Sequence, residues 1–346
     1  MKATYHKHIL QFKRPSGTSR GVLKTKETWF LILKASGKVG IGECGLLRGL
    51  SIDDRPDYEE TLKWVCDHID KGETQLLDAL TEFPSIQFGI ETAFQSLRAN
   101  TPFELFPTYF TNNKAPIPIN GLIWMGDKAF MRAQIVEKIE QGFSCIKMKI
   151  GAIDFQTELE LLRYIRSEFD ASAIELRVDA NGAFQPSEAL EKLTQLAAYN
   201  LHSIEQPIQQ GQWEAMAQLC EKTPLPIALD EELIGVYSEE KKEQLLTSIQ
   251  PQYIILKPSL IGGFQASDTW IRLAEARSIG WWITSALESN VGLNAISQYT
   301  YTKNSKLPQG LGTGSLYTNN IPSPLHVAHG NLYYKQEGNW DFNKIM

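Results

Sequence analysis

Cys145-Ile146-Lys147-Met148-Lys149-Ile150-Gly151 is an apolar run that carries two lysines at alternate positions. In a β-strand, side chains two apart share a face, so Lys147 and Lys149 would point the same way at a cost in desolvation and mutual repulsion. A solvated edge strand would relieve that cost. So would a site in which anionic groups gather round the pair, and the surrounding stretches decide between the two.

Short β-type runs recur at residues 117–120, 145–150, 174–178, 201–204, 226–229, 253–256, 281–285 and 309–311. Amphipathic helical stretches such as 130–141, 154–169, 187–199 and 267–278 separate them. Eight β/α units in succession predict an α/β fold closed as a parallel (β/α)8-type barrel, a modified TIM barrel. Five consecutive runs end in a charged group: Lys149, then Asp179 in Arg177-Val178-Asp179-Ala180-Asn181, then Glu205 in Ile204-Glu205-Gln206-Pro207. Asp230 in Ala228-Leu229-Asp230-Glu231-Glu232 and Lys257 in Ile255-Leu256-Lys257-Pro258-Ser259 complete the series, one repeat apart at each step. All strand C-termini of a barrel open on one mouth, where barrel enzymes hold their active sites. Any one of these residues could be a helix cap or a solvated lysine. Five at one-repeat spacing point to a functional cluster.

Three convergent carboxylates with no histidine or cysteine among them are hard oxygen ligands suited to Mg²⁺, with Mn²⁺ as a possible substitute. A metal and a neighbouring cation both favour the neutral form of a lysine, which fits it to act as a general base. Lys147 is expected to be that cation beside Lys149. The chemistry that fits is removal of a weakly acidic proton α to a carboxylate, with the metal neutralising the enediolate that forms.

Upstream, Thr28-Trp29-Phe30-Leu31-Ile32-Leu33 and Val39-Gly40-Ile41-Gly42-Glu43 read as a hairpin around the turn Ala35-Ser36-Gly37-Lys38. Residues 14–21 have the polar, glycine-containing composition of a lid or of a plain connecting loop, with Thr18, Ser19 and Arg20 near its tip. From about 57 to 100 the period turns helical, and a later helix there contains Glu91. Thr111-Asn112-Asn113-Lys114-Ala115-Pro116 is a natural linker. The expected division is an α+β capping domain over 1–115, the barrel over 116–314, and a C-terminal segment, 315–346, that returns to the cap.

The chain has 346 residues, enough for a barrel and a smaller domain, and a net charge of −6, which argues against a general phosphate-backbone binder. No uncharged apolar run approaches the ~20 residues that span a bilayer, and the N-terminus lacks a signal-peptide core. The expectation is a cytoplasmic protein without nucleic-acid or membrane partners. The four cysteines show no C-x-x-C pairing, and the His6/His8 and His326/His329 pairs have no further ligand nearby, so neither set reads as a metal site or a disulfide framework.

As a set, Lys-x-Lys at 147–149, Asp-x-Asn at 179–181, Glu-Gln-Pro at 205–207, Asp-Glu at 230–231 and Lys-Pro-Ser at 257–259 resembles the enolase superfamily, in its muconate-lactonizing-enzyme-like subgroup. The resemblance runs from Gly40-Ile41-Gly42-Glu43 to Gly310, Gly312 and Gly314. It implies Asp179, Glu205 and Asp230 as Mg²⁺ ligands, Lys149 as base on one face and Lys257 on the opposite face. Asn181 and Glu231 would support the ligands, and the 15–21 and 47–51 segments would close over substrate.

Within the subgroup, Ser285-Ala286-Leu287-Glu288-Ser289-Asn290-Val291-Gly292 and Leu47-Arg48-Gly49-Leu50-Ser51 are similar to the o-succinylbenzoate synthases. That resemblance implies a carbon–oxygen lyase of menaquinone synthesis, which dehydrates 2-succinyl-6-hydroxy-2,4-cyclohexadiene-1-carboxylate, with Ser285, Ser289 and Gly312 near the substrate. Dipeptide epimerases of the family carry an Asp-x-Asp after the eighth strand, whereas Gly310-Leu311-Gly312-Thr313-Gly314 has no acid. N-acylamino-acid racemisation needs no such acid and stays open, and no motif excludes muconate cycloisomerisation. A catalytically silent scaffold would have no use for all five charged groups, nor would a Schiff-base aldolase for the three acids.

Overall fold

The computed structural model describes residues 1–18, 21–335 and 340–341. Strands β1 (Lys2–Thr18), β2 (Gly21–Ala35) and β3 (Lys38–Cys44) form an antiparallel sheet in the order β1-β2-β3, followed by helices α1 (Tyr58–Asp67), α2 (Glu73–Ala79) and α3 (Pro84–Arg98). Trp29, Leu31 and Leu33 on β2 pack with Leu62, Val65, Ile86 and Ile90 from the helices. The intervening Phe30 packs instead with Val291 and Ile321. The central strand is covered on both faces, which is why it reads as a continuous apolar run and not as an alternation. Glycine is required at 42, because a Cβ there would lie 2.0 Å from the Gly89 carbonyl oxygen of α3.

The lid-like loop expected over 14–21 is a correction: β1 and β2 continue through it as the arms of one long hairpin, with Gly17 opposite Val22 and Thr18 opposite Gly21. Ser19 and Arg20 lie outside the described residues. The polar composition of this arm hides Ser16, Gly17 and Thr18, which main-chain pairing with Leu23, Val22 and Gly21 holds in the sheet.

The first expected barrel run is divided. β4 (Ile117–Pro118) pairs antiparallel with a C-terminal hairpin, while β5 (Gly121–Ile123) enters the parallel sheet. Prolines at 116 and 118 cannot donate to a ladder on either side. The sheet then runs in sequence order through β6 (Cys145–Lys149), β7 (Glu175–Asp179), β8 (Ser203–Glu205), β9 (Ile227–Leu229), β10 (Tyr253–Leu256) and β11 (Gly280–Ile283). The eighth position is supplied by single bridges, Thr284 to Gly310 and Ile119 to Gln309, so the barrel closes on two residues. The Asn120 N–H donates to Gln309 O at 3.0 Å and the Ser285 N–H to Gly310 O at 3.0 Å.

Helices α4 (Lys128–Glu140), α5 (Phe155–Glu168), α6 (Pro186–Ala197), α7 (Trp213–Lys222), α8 (Glu239–Ile249), the short α9 (Pro258–Ile261), α10 (Gly263–Glu275) and α11 (Asn290–Thr302) separate or follow the strands. Asp154 caps α5 by accepting from the Thr157 N–H, and Gln185 and Glu188 form a capping box on α6. Ile146, Met148, Leu176, Val178, Ile204 and Leu256 face these helices in the main core. Residues one position along turn inward, as Ala228, Ile255 and Trp282 do in a cluster of their own. After the barrel, β12 (Leu325–Ala328) and β13 (Asn331–Tyr334) form the hairpin on β4. Phe12 of β1 bridges to Tyr317. Among the described residues no helix is long and apolar enough to cross a membrane.

Candidate active site

Because Ile146 and Met148 fill the outer core, Lys147 and Lys149 face the barrel interior. Strand register then aligns the neighbours: Lys149 pairs with Asp179, and Asp179 with Glu205, across β6, β7 and β8. Asp230 follows β9, and Lys257 follows β10 as the cap of α9. In an eight-stranded barrel, β6 and β10 stand four places apart and therefore on opposite walls, with β7, β8 and β9 between them.

The charged groups interlock. Lys147 Nζ donates to Glu205 Oε2 and lies 2.9 Å from Asp179 Oδ2. Lys149 Nζ donates to the same Asp179 oxygen at 2.9 Å and to Asn181 Oδ1 at 2.7 Å. Lys257 Nζ donates to Asp230 Oδ2 and stands 3.9 Å from Glu205 Oε1. Asn181 Nδ2 donates to Glu231 Oε1 at 3.0 Å, and the Asn181 N–H to Asp179 Oδ1 at 3.0 Å. Gln206, in the left-handed region at φ 38°, receives the Asp230 N–H on its side-chain oxygen at 3.1 Å.

Burial works against charge throughout. It opposes the positive form of Lys147, yet Asp179, Glu205 and Asp230 override it and raise that lysine's pKa. Burial would also lift Asp179, but Lys147 and Lys149 hold it well below the usual carboxylate range. Glu205 is the exception: burial, reinforced by Asp179, pushes its carboxyl well above that range despite Lys147. Its Oε1 is buried and accepts no hydrogen bond. A buried carboxylate oxygen without a donor, between two more carboxylates, is a position that a hard divalent cation would satisfy. Lysine ammonium groups stand between the acids, and among the described residues no three donors are drawn together closely enough to enclose an ion.

A cavity of about 540 Å³ opens over Lys147, Lys149, Asp179, Asn181 and Lys257, and both Ser285 and Gly312 line it. Cap residues from the 47–50 turn complete its wall. Ser289 is not brought there: its side chain is buried, caps α11 and donates to Glu43 Oε2. Glu205, Asp230 and Glu231 lie behind the lysines instead of on the cavity wall. The apolar side, with Leu122, Trp124 and Phe130, and the Ser285–Thr313 hydroxyl pair at 2.5 Å were missed by sequence reasoning. An aromatic following a barrel strand carries no signal apart from core packing. Thr313 sits within the quoted glycine segment and could have been found there.

Residues 131–337 match the family model "Enolase C-terminal domain-like". The chain is 46% identical over 366 aligned residues to the o-succinylbenzoate synthase of Desulfotalea psychrophila, covering 96% of this chain and 98% of that protein. The crystal structure of MenC from Desulfotalea psychrophila superposes with a TM-score of 0.86 at 43% identity, over 96% of this chain and 99% of that one. A substrate-liganded L-Ala-D/L-Glu epimerase from Bacillus subtilis reaches a TM-score of 0.83 at 19% identity, over 100% and 99% of the two chains, a likeness of fold alone.

Proposed function

The chain belongs to the enolase superfamily, and from that premise we propose that it is an o-succinylbenzoate synthase, a carbon–oxygen lyase acting in menaquinone synthesis. The observation that carries the reading is the opposition of Lys149 and Lys257 across the barrel with Asp179, Glu205 and Asp230 between them, in a chain so similar to a synthase of that name.

Asp179, Glu205 and Asp230 would hold Mg²⁺, with Mn²⁺ as a possible substitute, and Asn181 and Glu231 would orient that set. When bound, the metal supplies positive charge where the carboxylate of the substrate gathers electron density. Lys149 Nζ takes the proton α to the ring carboxylate of 2-succinyl-6-hydroxy-2,4-cyclohexadiene-1-carboxylate. It returns that proton to the departing hydroxyl, so that one C–H and one C–O bond break, water leaves and the ring becomes aromatic. Lys257, on the other wall, stays charged against Asp230 and steadies the planar dianion from the opposite face. The cap expected over 1–115, onto which residues 316–319 bond back at β1, closes the mouth of the barrel expected over 116–314 and limits water there.

The same two lysines could exchange protons with both faces of an α-carbon, as in N-acylamino-acid racemisation. Direct assay decides: Mg²⁺-dependent formation of 2-succinylbenzoate, compared with turnover of N-succinyl amino acids and a dipeptide panel. Dehydration at least an order of magnitude faster than any racemisation is expected. Dehydration at background level, beside rapid racemisation, would overturn the lyase reading.

A further inference from the structure

The hairpin arm that replaced the expected loop crosses the cavity in an unusual way. Pairing of β1 with β2 is interrupted between Gln11 and Ser16. Over that interval the arm is pinned to other parts of the fold, since Phe12 bridges to Tyr317 and the Lys13 N–H donates to Leu316 O at 2.8 Å, and just beyond it Gly17 bridges to Met125. The Gly17 contact is so close that a Cβ would lie 2.5 Å from Met125 O. Residues 12–15 are thus held away from their sheet partner, and Lys13, Arg14 and Pro15 line the cavity beside Ser16, where pairing resumes.

This segment brings cations to a wall whose other members are largely apolar. Of the basic residues at the mouth, Arg48 is committed to Glu27 and Asp54, at 2.7 and 2.6 Å. Lys138 donates to Gln141 at 3.0 Å, and Arg14 stands 3.8 Å from Glu137. Lys13 has neither an ion pair nor a hydrogen bond from its side chain among the described residues. A cation fixed at the backbone and unpaired at its tip, over a binding cavity, is suited to an anionic part of the ligand.

The substrate read from the site is a dianion. Its ring carboxylate belongs with the deep cluster of lysines and acids, which leaves the carboxylate at the end of the succinyl chain to be recognised elsewhere. We propose that Lys13 pairs with that second carboxylate and selects substrates with a negative charge at that distance from the reacting carbon. The proposal rests on the lyase reading above.

The test compares binding of two ligands to the Mg²⁺-loaded protein by calorimetry: 2-succinylbenzoate, and the derivative in which only the succinyl-chain carboxylate is a neutral amide. The wild type should bind the dianion about tenfold more tightly, and Lys13→Met should bind both nearly equally, with Lys13→Arg restoring the preference. In turnover, Lys13→Met should raise KM about tenfold and leave kcat within about twofold. Unchanged preference in Lys13→Met overturns the proposal, as does equal weakening of both ligands or loss of the preference in Arg14→Met alone. A wild type that dehydrates the cyclohexadiene yet ignores the amide substitution overturns it while leaving the lyase reading intact. A wild type that neither binds the dianion nor dehydrates the substrate overturns both.

Discussion

Lys147 and Lys149 bring their ammonium nitrogens to one oxygen, each lying 2.9 Å from Asp179 Oδ2. That single carboxylate oxygen holds two mutually repelling cations close with little screening from solvent, since both side chains are about one-tenth exposed. The arrangement makes each lysine sensitive to the other's charge.

Lys147→Ala should therefore do two things. Removing a buried partner of both Asp179 and Glu205 leaves uncompensated charge, a loss of about 3 kcal/mol in stability, part of which added Mg²⁺ should restore. The rising limb of the kcat/KM profile against pH should also move to higher pH, because a neighbouring cation that favours the unprotonated base has gone. Urea melts with and without Mg²⁺, beside pH–rate profiles, check both. An unmoved limb would remove Lys147 from the tuning role and leave Lys149 as the base.

Asp179→Asn keeps the shape of the side chain and takes away its charge. Turnover should fall by about a thousandfold or more while the fold is retained, and the rise in melting temperature that Mg²⁺ gives the wild type should shrink. Near-normal activity in this variant would refute the metal assignment.

Much of the site was legible because lone charges at the ends of apolar runs, spaced one β/α repeat apart, have few explanations. Lys149, Asp179, Glu205, Asp230 and Lys257 all fall together on that ground. What stayed hidden depends on contacts far apart in the chain. Glu43 reaches the Ser289 N–H across 246 residues, so Ser289 is turned toward the cap and not toward the cavity. The hairpin arm at 16–18 forms by main-chain pairing that its polar side chains do not announce. The barrel's eighth run falls at 309–311 as expected, but its reduction to single bridges at Gln309 and Gly310 leaves no mark in the sequence.

Glu91 of α3 accepts hydrogen bonds from the Phe264 and Gln265 N–H groups at the start of α10, and burial pushes its carboxyl up to about 7 despite those donors. A folded-state pKa above the unfolded one means that the folded chain holds the proton more firmly. This contribution to stability is complete below the unfolded value near 4.5 and is lost as pH rises through about 7. Glu91→Gln cannot titrate. Relative to wild type, the variant should therefore gain on the order of 3 kcal/mol between pH 4.5 and 8, whatever its offset at one pH. Parallel denaturant curves at four pH values check it, and a difference constant with pH would refute it.

Glu43 joins cap to barrel more tightly still. Its Oε1 accepts from the Ser289 N–H and the Thr28 hydroxyl, each at 2.8 Å, and its Oε2 from the Gly292 N–H at 2.8 Å and the Ser289 hydroxyl. Four donors fill a carboxylate's capacity, and two of them are N–H groups at the N-terminus of α11, where an anion is favoured. In Glu43→Gln one oxygen becomes an N–H₂ group facing a donor, so at least one hydrogen bond is lost and a buried donor is left unpaired, at a cost of about 2–3 kcal/mol. α11 follows directly on the 285–289 segment, of which Ser285, Ala286 and Leu287 line the cavity. Loosening its start should displace the substrate-facing wall before it disturbs the lysines on β6 and β10. KM is therefore expected to rise several-fold with kcat little altered. Steady-state kinetics beside a denaturant curve check this, and a fall in kcat at constant KM would show that Glu43 acts on the reacting groups themselves and not on the wall.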